Sequence, residues 1–223
     1  MTGTIVNTGA ILAGGLIGLA AGRHMPGRLK TILMQALGLS TLLIGLQMAL
    51  SAREIIPVVG SLLLGALTGE LLRIEDGLEK IGQWLKKRAR SDSSTFVEGF
   101  VTASLLFCTG AMVIVGAIQD GTTGNATTLY IKAMLDGVAS IAFASTLGTG
   151  VILSAVSVFL VQGAITLLAS NLAFLQEPTV LDAVTSTGGL LIVAIAINLL
   201  NIAKIRVGNF LPALFYAVLL ALI

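Results

Sequence analysis

Eight apolar segments, each close to the length that crosses a bilayer, occupy most of this chain and leave few folds open to it. They run over residues 4–22, 31–50, 55–72, 96–117, 129–147, 150–170, 180–202 and 208–223. Each is continuously apolar, with no alternation at every second residue, so these are helices and not barrel strands. At about 20 residues per span, eight helices use most of the length and leave about 60 residues for connections. Only 11% of the 223 residues are charged and 56% are hydrophobic, with 26 Gly besides. An average soluble domain is about 25% charged. Too little polar surface remains for a soluble exterior, and too much apolar surface for a disordered chain or a small disulfide scaffold. The sequence predicts an all-α polytopic membrane protein in the lipid bilayer, one transmembrane domain over residues 1–223.

The few charges are distributed in a way that predicts sidedness. The first loop carries Arg23, Arg28 and Lys30, with His24 among them. The third holds Arg73, Lys80, Lys86, Lys87, Arg88 and Arg90, and the seventh holds Lys204 and Arg206. The second has only Arg53, beside Glu54, and the fourth to sixth have none. With the N-terminus outside, eleven of thirteen basic residues face the cytoplasm, one faces outward, and Lys132 lies within a span. This partition predicts a multi-pass inner-membrane protein with both termini outside. Fusing the fifth and sixth segments at Gly148–Gly150 would break the alternation, whereas a re-entrant hairpin there would preserve it. The basic residues follow the first apolar run and do not precede it, unlike a cleavable signal peptide. A net charge of +2 gives no reason to expect a nucleic-acid partner, and Cys108, alone, can neither form an internal disulfide nor build a zinc site.

The third loop, residues 73–95, is the one sizeable polar piece. Ile74, Leu78, Ile81 and Leu85 recur at helical spacing beside Trp84, predicting an amphipathic helix on the inner membrane surface above a basic cluster at Lys86–Arg90. A topogenic linker accounts for it more simply than a regulatory device.

Thr8–Leu12 reads TGAIL and Thr149–Leu153 reads TGVIL. Further along, Gly38-Leu39, Gln47 and Arg53 match Gly189-Leu190, Asn198 and Lys204. Helices one to three would then repeat as helices six to eight, in halves 1–72 and 149–223 of opposite orientation, the scaffold of many secondary transporters. Chains rich in Gly, Leu, Ile and Ala also produce such matches by chance.

Ionisable and polar residues inside spans are the candidates for chemistry. Lys132, Asp136 and Ser140 share one helix face, with Asp136 roughly 6 Å deeper than Lys132. The plain reading is an intrahelical ion pair. The functional one is a carboxylate that binds a cation or proton, which Lys132 releases or replaces. Asp182, Thr185, Ser186, Thr187, Gly188 and Gly189 open the seventh span with the polar and flexible residues that a broken helix needs, or that close helix packing needs. Asn7, Gln35, Gln47, Gln162, Asn198, Asn201 and Asn209 are spread over five spans. They read mostly as interhelical hydrogen-bond glue, each worth about 0.6–2 kcal/mol, with Asn7 a candidate to line a path. Glu70, near the inner interface, should pair with Arg73 or another basic residue. The ridges Ala10, Gly14, Gly18, Gly22 and Ser61, Gly65, Gly69 read as packing within the chain rather than between copies. HExxH, GxSxG, a Cys–His pair and a P-loop are missing, so no enzyme, metal, cofactor or ATP-driven pump is expected.

Longer strings carry a resemblance: GTIVNTGA from Gly3, GELLRIED from Gly69, FVTASLLFCTGAMVIVGAIQDG from Phe100, LYIKAMLDGVASIAFASTLGTGV from Leu129 and VGNFLPAL from Val207. Together they resemble the YqgA/YdfK-like family of bacterial membrane proteins over essentially the whole chain. The resemblance implies a bacterial inner-membrane location and a transporter assignment, and it brings no binding or catalytic residues with it. The expected function is a secondary transporter or permease for an ion or small polar solute, with its site near the midplane. The alternatives are a passive channel formed by a homo-oligomer, and a non-transporting scaffold whose loop Lys86–Arg90 docks a cytosolic partner.

Overall fold

The computed structural model describes residues 1–23, 25–88 and 94–223; His24 and Arg90 of the basic loops lie outside the described residues. Among the described residues there are ten α-helices and no strand: α1 Thr2–Arg23, α2 Gly27–Ala49, α3 Ile55–Leu72, α4 Ile74–Arg88, α5 Phe96–Cys108, α6 Ala111–Thr122, α7 Thr127–Leu147, α8 Gly150–Leu167, α9 Pro178–Leu199 and α10 Pro212–Ala221. Every expected segment is helical. By length and composition α1, α2, α3, α8 and α9 can each cross a membrane, and the α5–α6 pair makes a sixth if counted as one bent span. The fifth segment, α7, is long enough at 21 residues but carries Lys132 and Asp136. The eighth is shorter, a 3₁₀ turn at Val207–Phe210 leading into α10. An all-α polytopic membrane architecture follows, since only helices satisfy their own backbone in hydrocarbon. Large apolar side chains stay uncovered on the outward faces, Ile56 at 86% and Leu43 at 68% exposure, as lipid contact requires.

The chain packs as two compact units. The first comprises residues 1–34, 82–108 and 112–173, and the second 35–81, 109–111 and 174–223. In the first, α1 runs parallel to α7: Gly14, Gly18 and Gly22 lie against the backbone of Gly137, Ile141 and Ser145 in order. A Cβ at any of the three would stand 2.2–2.3 Å from a carbonyl oxygen of α7, so these glycines let two backbones touch. Helix α8 runs antiparallel to α1, with Thr4 beside Thr166 and Gly15 beside Ile152. It is parallel to α5, where Ser104 donates to Ser157 across 2.9 Å. Because α1 is parallel to α7 and antiparallel to α8, α7 and α8 are separate helices running in opposite directions. The turn between them uses Gly148 at φ 80°, which glycine adopts without strain.

In the second unit α2 packs antiparallel on α9: Gly38 faces Leu200, Gly45 faces Val193 and Gly189 faces Ala49. Helix α3 packs antiparallel on α10, with Gly65 against Ala213 and Gly69 against Asn209. Both small-residue ridges therefore serve contacts inside the chain. Helix α9 begins with Pro178 at its first position, where no N–H is missed, and continues unbroken through Gly188 and Gly189 to Leu199. The interruption falls instead in the fourth span, between Cys108 and Ala111, where the axis turns by 61°. Gly110 there has φ 115°, a conformation closed to most side chains.

Helix α4 is amphipathic as expected. Ile74, Leu78 and Leu85 are half-buried, while Ile81 of the same stripe and Trp84 stay 52% and 63% exposed.

Candidate functional site

The buried polar groups of the first unit converge at the middle of α7. Asp136 stands nine residues after Thr127 and eleven before Leu147, about 14 Å along the helix from its start at 1.5 Å per residue. Lys132 lies one turn earlier, and its Nζ donates to both carboxylate oxygens of Asp136, at 2.8 and 2.7 Å. Each residue is only 6% exposed. An isolated charge of either sign here would carry a large desolvation penalty, and the bidentate contact is what makes the pair tolerable.

Neighbouring helices extend the pair into a network. Asn7 of α1 uses both amide hydrogens, one to Asp136 Oδ2 at 3.1 Å and one to Gln162 Oε1 of α8 at 3.0 Å. Gln162 Nε2 donates to Thr4 Oγ1 at 3.2 Å. Thr166 gives its one hydroxyl hydrogen to the Gln162 carbonyl at 2.9 Å, so the 3.2 Å contact between Thr4 and Thr166 must have Thr4 as donor. The side-chain donors of Asn7, Thr4 and Thr166 are thereby all in use. Two oxygens remain without a partner, Asn7 Oδ1 and Ser140 Oγ, each on a residue with 0% exposure. Buried oxygens are rarely left so. Asn7 Oδ1 can only accept, so what it lacks is a cation or a hydrogen-bond donor.

At the start of α1, the Asp120 carboxylate of α6 accepts from the Gly3 N–H at 3.0 Å and from Thr2 Oγ1 at 3.3 Å, and lies 3.0 Å from the Met1 amine. It thus satisfies orphan donors that open every helix. Sequence reasoning missed Asp120 as a capping group, and it took Gln162 only as glue. The sequence signal for Gln162 was an amide on the helix that carries TGVIL.

The remaining candidates lie in the second unit. Asp182 Oδ2 is 2.9 Å from Arg53 Nε, near enough to pair but out of line for a hydrogen bond. With Arg53 75% exposed, solvent screens the attraction. Ser186 shares a 3.3 Å contact with Ser51, and the hydroxyls of Thr185 and Thr187 have no partner. Gly188 and Gly189 serve packing: a Cβ on the first would meet Thr109 Cγ2 at 2.2 Å and on the second the Ala49 backbone at 2.4 Å. Since α9 is continuous, no half-helix terminus exists at Gly189.

At the far end of α3, Arg206 and Asn209 hold Glu70 at 2.8 and 2.6 Å. Glu70 therefore takes its basic partner from the α9–α10 connection and not from Arg73. Asn209 Oδ1 accepts the Glu75 N–H at 2.7 Å, and Glu75 Oε2 accepts the Gly208 N–H at 2.6 Å. Burial pushes the Glu75 carboxyl above its ordinary range, against the Gly208 N–H, Lys204 and Arg206, which favour its ionised form. No group of three or more metal-ligating side chains occurs among the described residues.

Comparison with known proteins agrees on family and class. The family described as "Protein of unknown function (DUF554)" matches residues 2–222. The chain is 34% identical over 218 residues to "Uncharacterized membrane protein YdfK" of Bacillus subtilis (strain 168), covering 96% of this chain and 93% of that one. It is 29% identical over 220 residues to "Uncharacterized protein YqgA" of Escherichia coli (strain K12), with 96% and 94% covered. No solved structure matches.

Proposed function

The chain belongs to the DUF554 family of membrane proteins, and from that premise we propose that it is a secondary transporter or permease whose cargo or coupling ion is a small cation, a proton included. The observation that carries this is the Lys132–Asp136 pair at the centre of α7, flanked by two unpartnered buried oxygens. The ammonium of Lys132 stands where a cargo cation would sit on the carboxylate. Arrival of a cation would displace it, and departure would let it return, so the site is never left as a bare buried anion. Ser140 Oγ and Asn7 Oδ1 would supply further oxygen ligands on the same helix–helix seam. No group of three or more metal-ligating side chains occurs among the described residues, and catalysis is not part of the proposal.

Two further features support alternating access. Each helix of the proposed repeat packs antiparallel on its counterpart: α1 on α8, α2 on α9, α3 on α10. Equating Gly38 with Gly189 also equates Ala49 with Leu200, which makes Gly38–Leu200 and Gly189–Ala49 the same contact in the two copies. An inverted repeat requires such reciprocity. The fourth span, in addition, is broken near its middle. The proposal places the protein in the bacterial inner membrane with both termini outside, as the loop charges indicate.

Asp136→Asn tests the site in proteoliposomes loaded with monovalent-cation and pH indicators. The variant is expected to lose cation or proton flux. Because Lys132 would then be a buried ammonium without its counter-ion, at a cost of about 3–5 kcal/mol, the double variant Lys132→Gln/Asp136→Asn is measured beside it. Wild-type flux in a folded double variant would sink the proposal.

A further inference from the structure

A polar cavity lies in the first unit, where the C-terminal ends of α1 and α7 meet the start of α8. Its volume is about 480 Å³, and its lining contains Arg23 and Lys30 with no carboxylate among the described residues. Neither basic residue has an acidic partner within ion-pair distance among the described residues. The helix ends add little net charge, because the negative ends of α1 and α7 are offset by the positive starts of α8 and α5, each end carrying about half an electron. The two side-chain cations therefore set the sign. Ser145 and Thr146, also in the wall, donate to carbonyls of their own helix at 2.7 and 3.0 Å. Their hydroxyls keep the wall polar and can rotate towards an anion, and Ser94 sits beside them. Gly22, in the same lining, allows this cavity through the close approach of α1 to Ser145.

We propose that this cavity is a phosphate-binding site, in which Arg23 and Lys30 clamp one phosphoryl group carrying one or two negative charges. Arg supplies a planar fork for two oxygens and Lys a point charge for the third. The space exceeds what a bare phosphate needs and admits the glycerol end of a lipid headgroup or the body of a small phosphorylated solute. On the proposed topology the site opens at the inner leaflet, where anionic headgroups concentrate around basic residues. It does not depend on the transport proposal, since it uses none of the residues around Asp136.

The test uses the full chain purified in detergent and compares wild type with Arg23→Gln/Lys30→Gln. One arm measures retention of phosphatidylglycerol against phosphatidylcholine by native mass spectrometry. The other titrates inorganic phosphate and follows the thermal unfolding midpoint. Preferential retention of phosphatidylglycerol that falls about tenfold or more in the double variant supports the site with a lipid source. A phosphate-dependent rise in midpoint that the double variant loses supports it with a soluble source. The exchange Arg23→Lys/Lys30→Arg keeps both charges and should keep binding. Equal behaviour of wild type and double variant in both arms overturns the proposal, as does an equal loss in Arg28→Gln, a residue outside the cavity. Should the double variant aggregate, Lys30→Gln alone is read against the same outcomes.

Discussion

A methyl group at position 18 would stand 2.2 Å from the Ile141 carbonyl oxygen, whereas one at position 9, on the same helix, would meet nothing within 4 Å. Both glycines are helical, so both gain about 1 kcal/mol of helix propensity on conversion to alanine. At Gly18 the obstacle is backbone, which cannot swing aside, and overpacking of this kind costs about 1–3 kcal/mol. Gly18→Ala is therefore expected to lower the unfolding midpoint in detergent while Gly9→Ala holds or raises it; equal midpoints would remove the α1–α7 contact as the reason for the ridge. At this scale the sequence served some residues well. Lys132 and Asp136 were legible because spacing of four on one helix is purely local geometry. Asn7 stood out only as a polar residue in an apolar run, and its bond to a carboxylate 129 positions away follows from packing alone. Thr4, Thr166 and Asp120 were overlooked, since a threonine or a terminal aspartate in a helix normally needs no tertiary explanation.

Helices, as elements, followed hydropathy closely, and their interruptions did not. The polar start of the seventh span left a break or close packing open, and α9 is continuous, with Gly188 and Gly189 packed against Thr109 and Ala49. The break fell at Thr109-Gly110, where one glycine in an apolar run left no distinctive pattern. Helix α4 gives a prediction of its own. Its first turn is fastened to the Val207–Phe210 segment through Glu75, whose carboxyl burial raises. A carboxyl raised in the folded chain holds its proton there more tightly than in the unfolded one. Its contribution to stability is then full below the ordinary carboxyl value and is lost as pH rises through the raised one. Glu75→Gln keeps an oxygen to accept the Gly208 N–H and does not titrate. Unfolding midpoints from about pH 4 to about pH 8 should show wild type losing stability relative to the variant as pH rises. A constant difference across that range would show that Glu75 does not titrate where its burial places it.

For the whole molecule, the distribution of thirteen basic residues leads to a sidedness that chemistry can check. In a Cys108→Ala background, Thr123→Cys, exposed between α6 and α7, should react with a membrane-impermeant maleimide on intact cells. Lys87→Cys, exposed on α4, should react only after permeabilisation. Reversed labelling would invert the topology, and labelling of both on intact cells would abolish it. The helix directions within each unit agree with strict alternation: α1 parallel to α7, α3 antiparallel to α10. Class, helix positions and the alternation of direction could be read from the chain because transfer of each segment into hydrocarbon depends on that segment's composition alone. Which polar residues share a seam, which glycines touch backbone, where a span breaks and which oxygens are left without partners could not, because each depends on atoms far apart in sequence. The bilayer imposes the first set on every segment separately; close packing of one helix on another imposes the second.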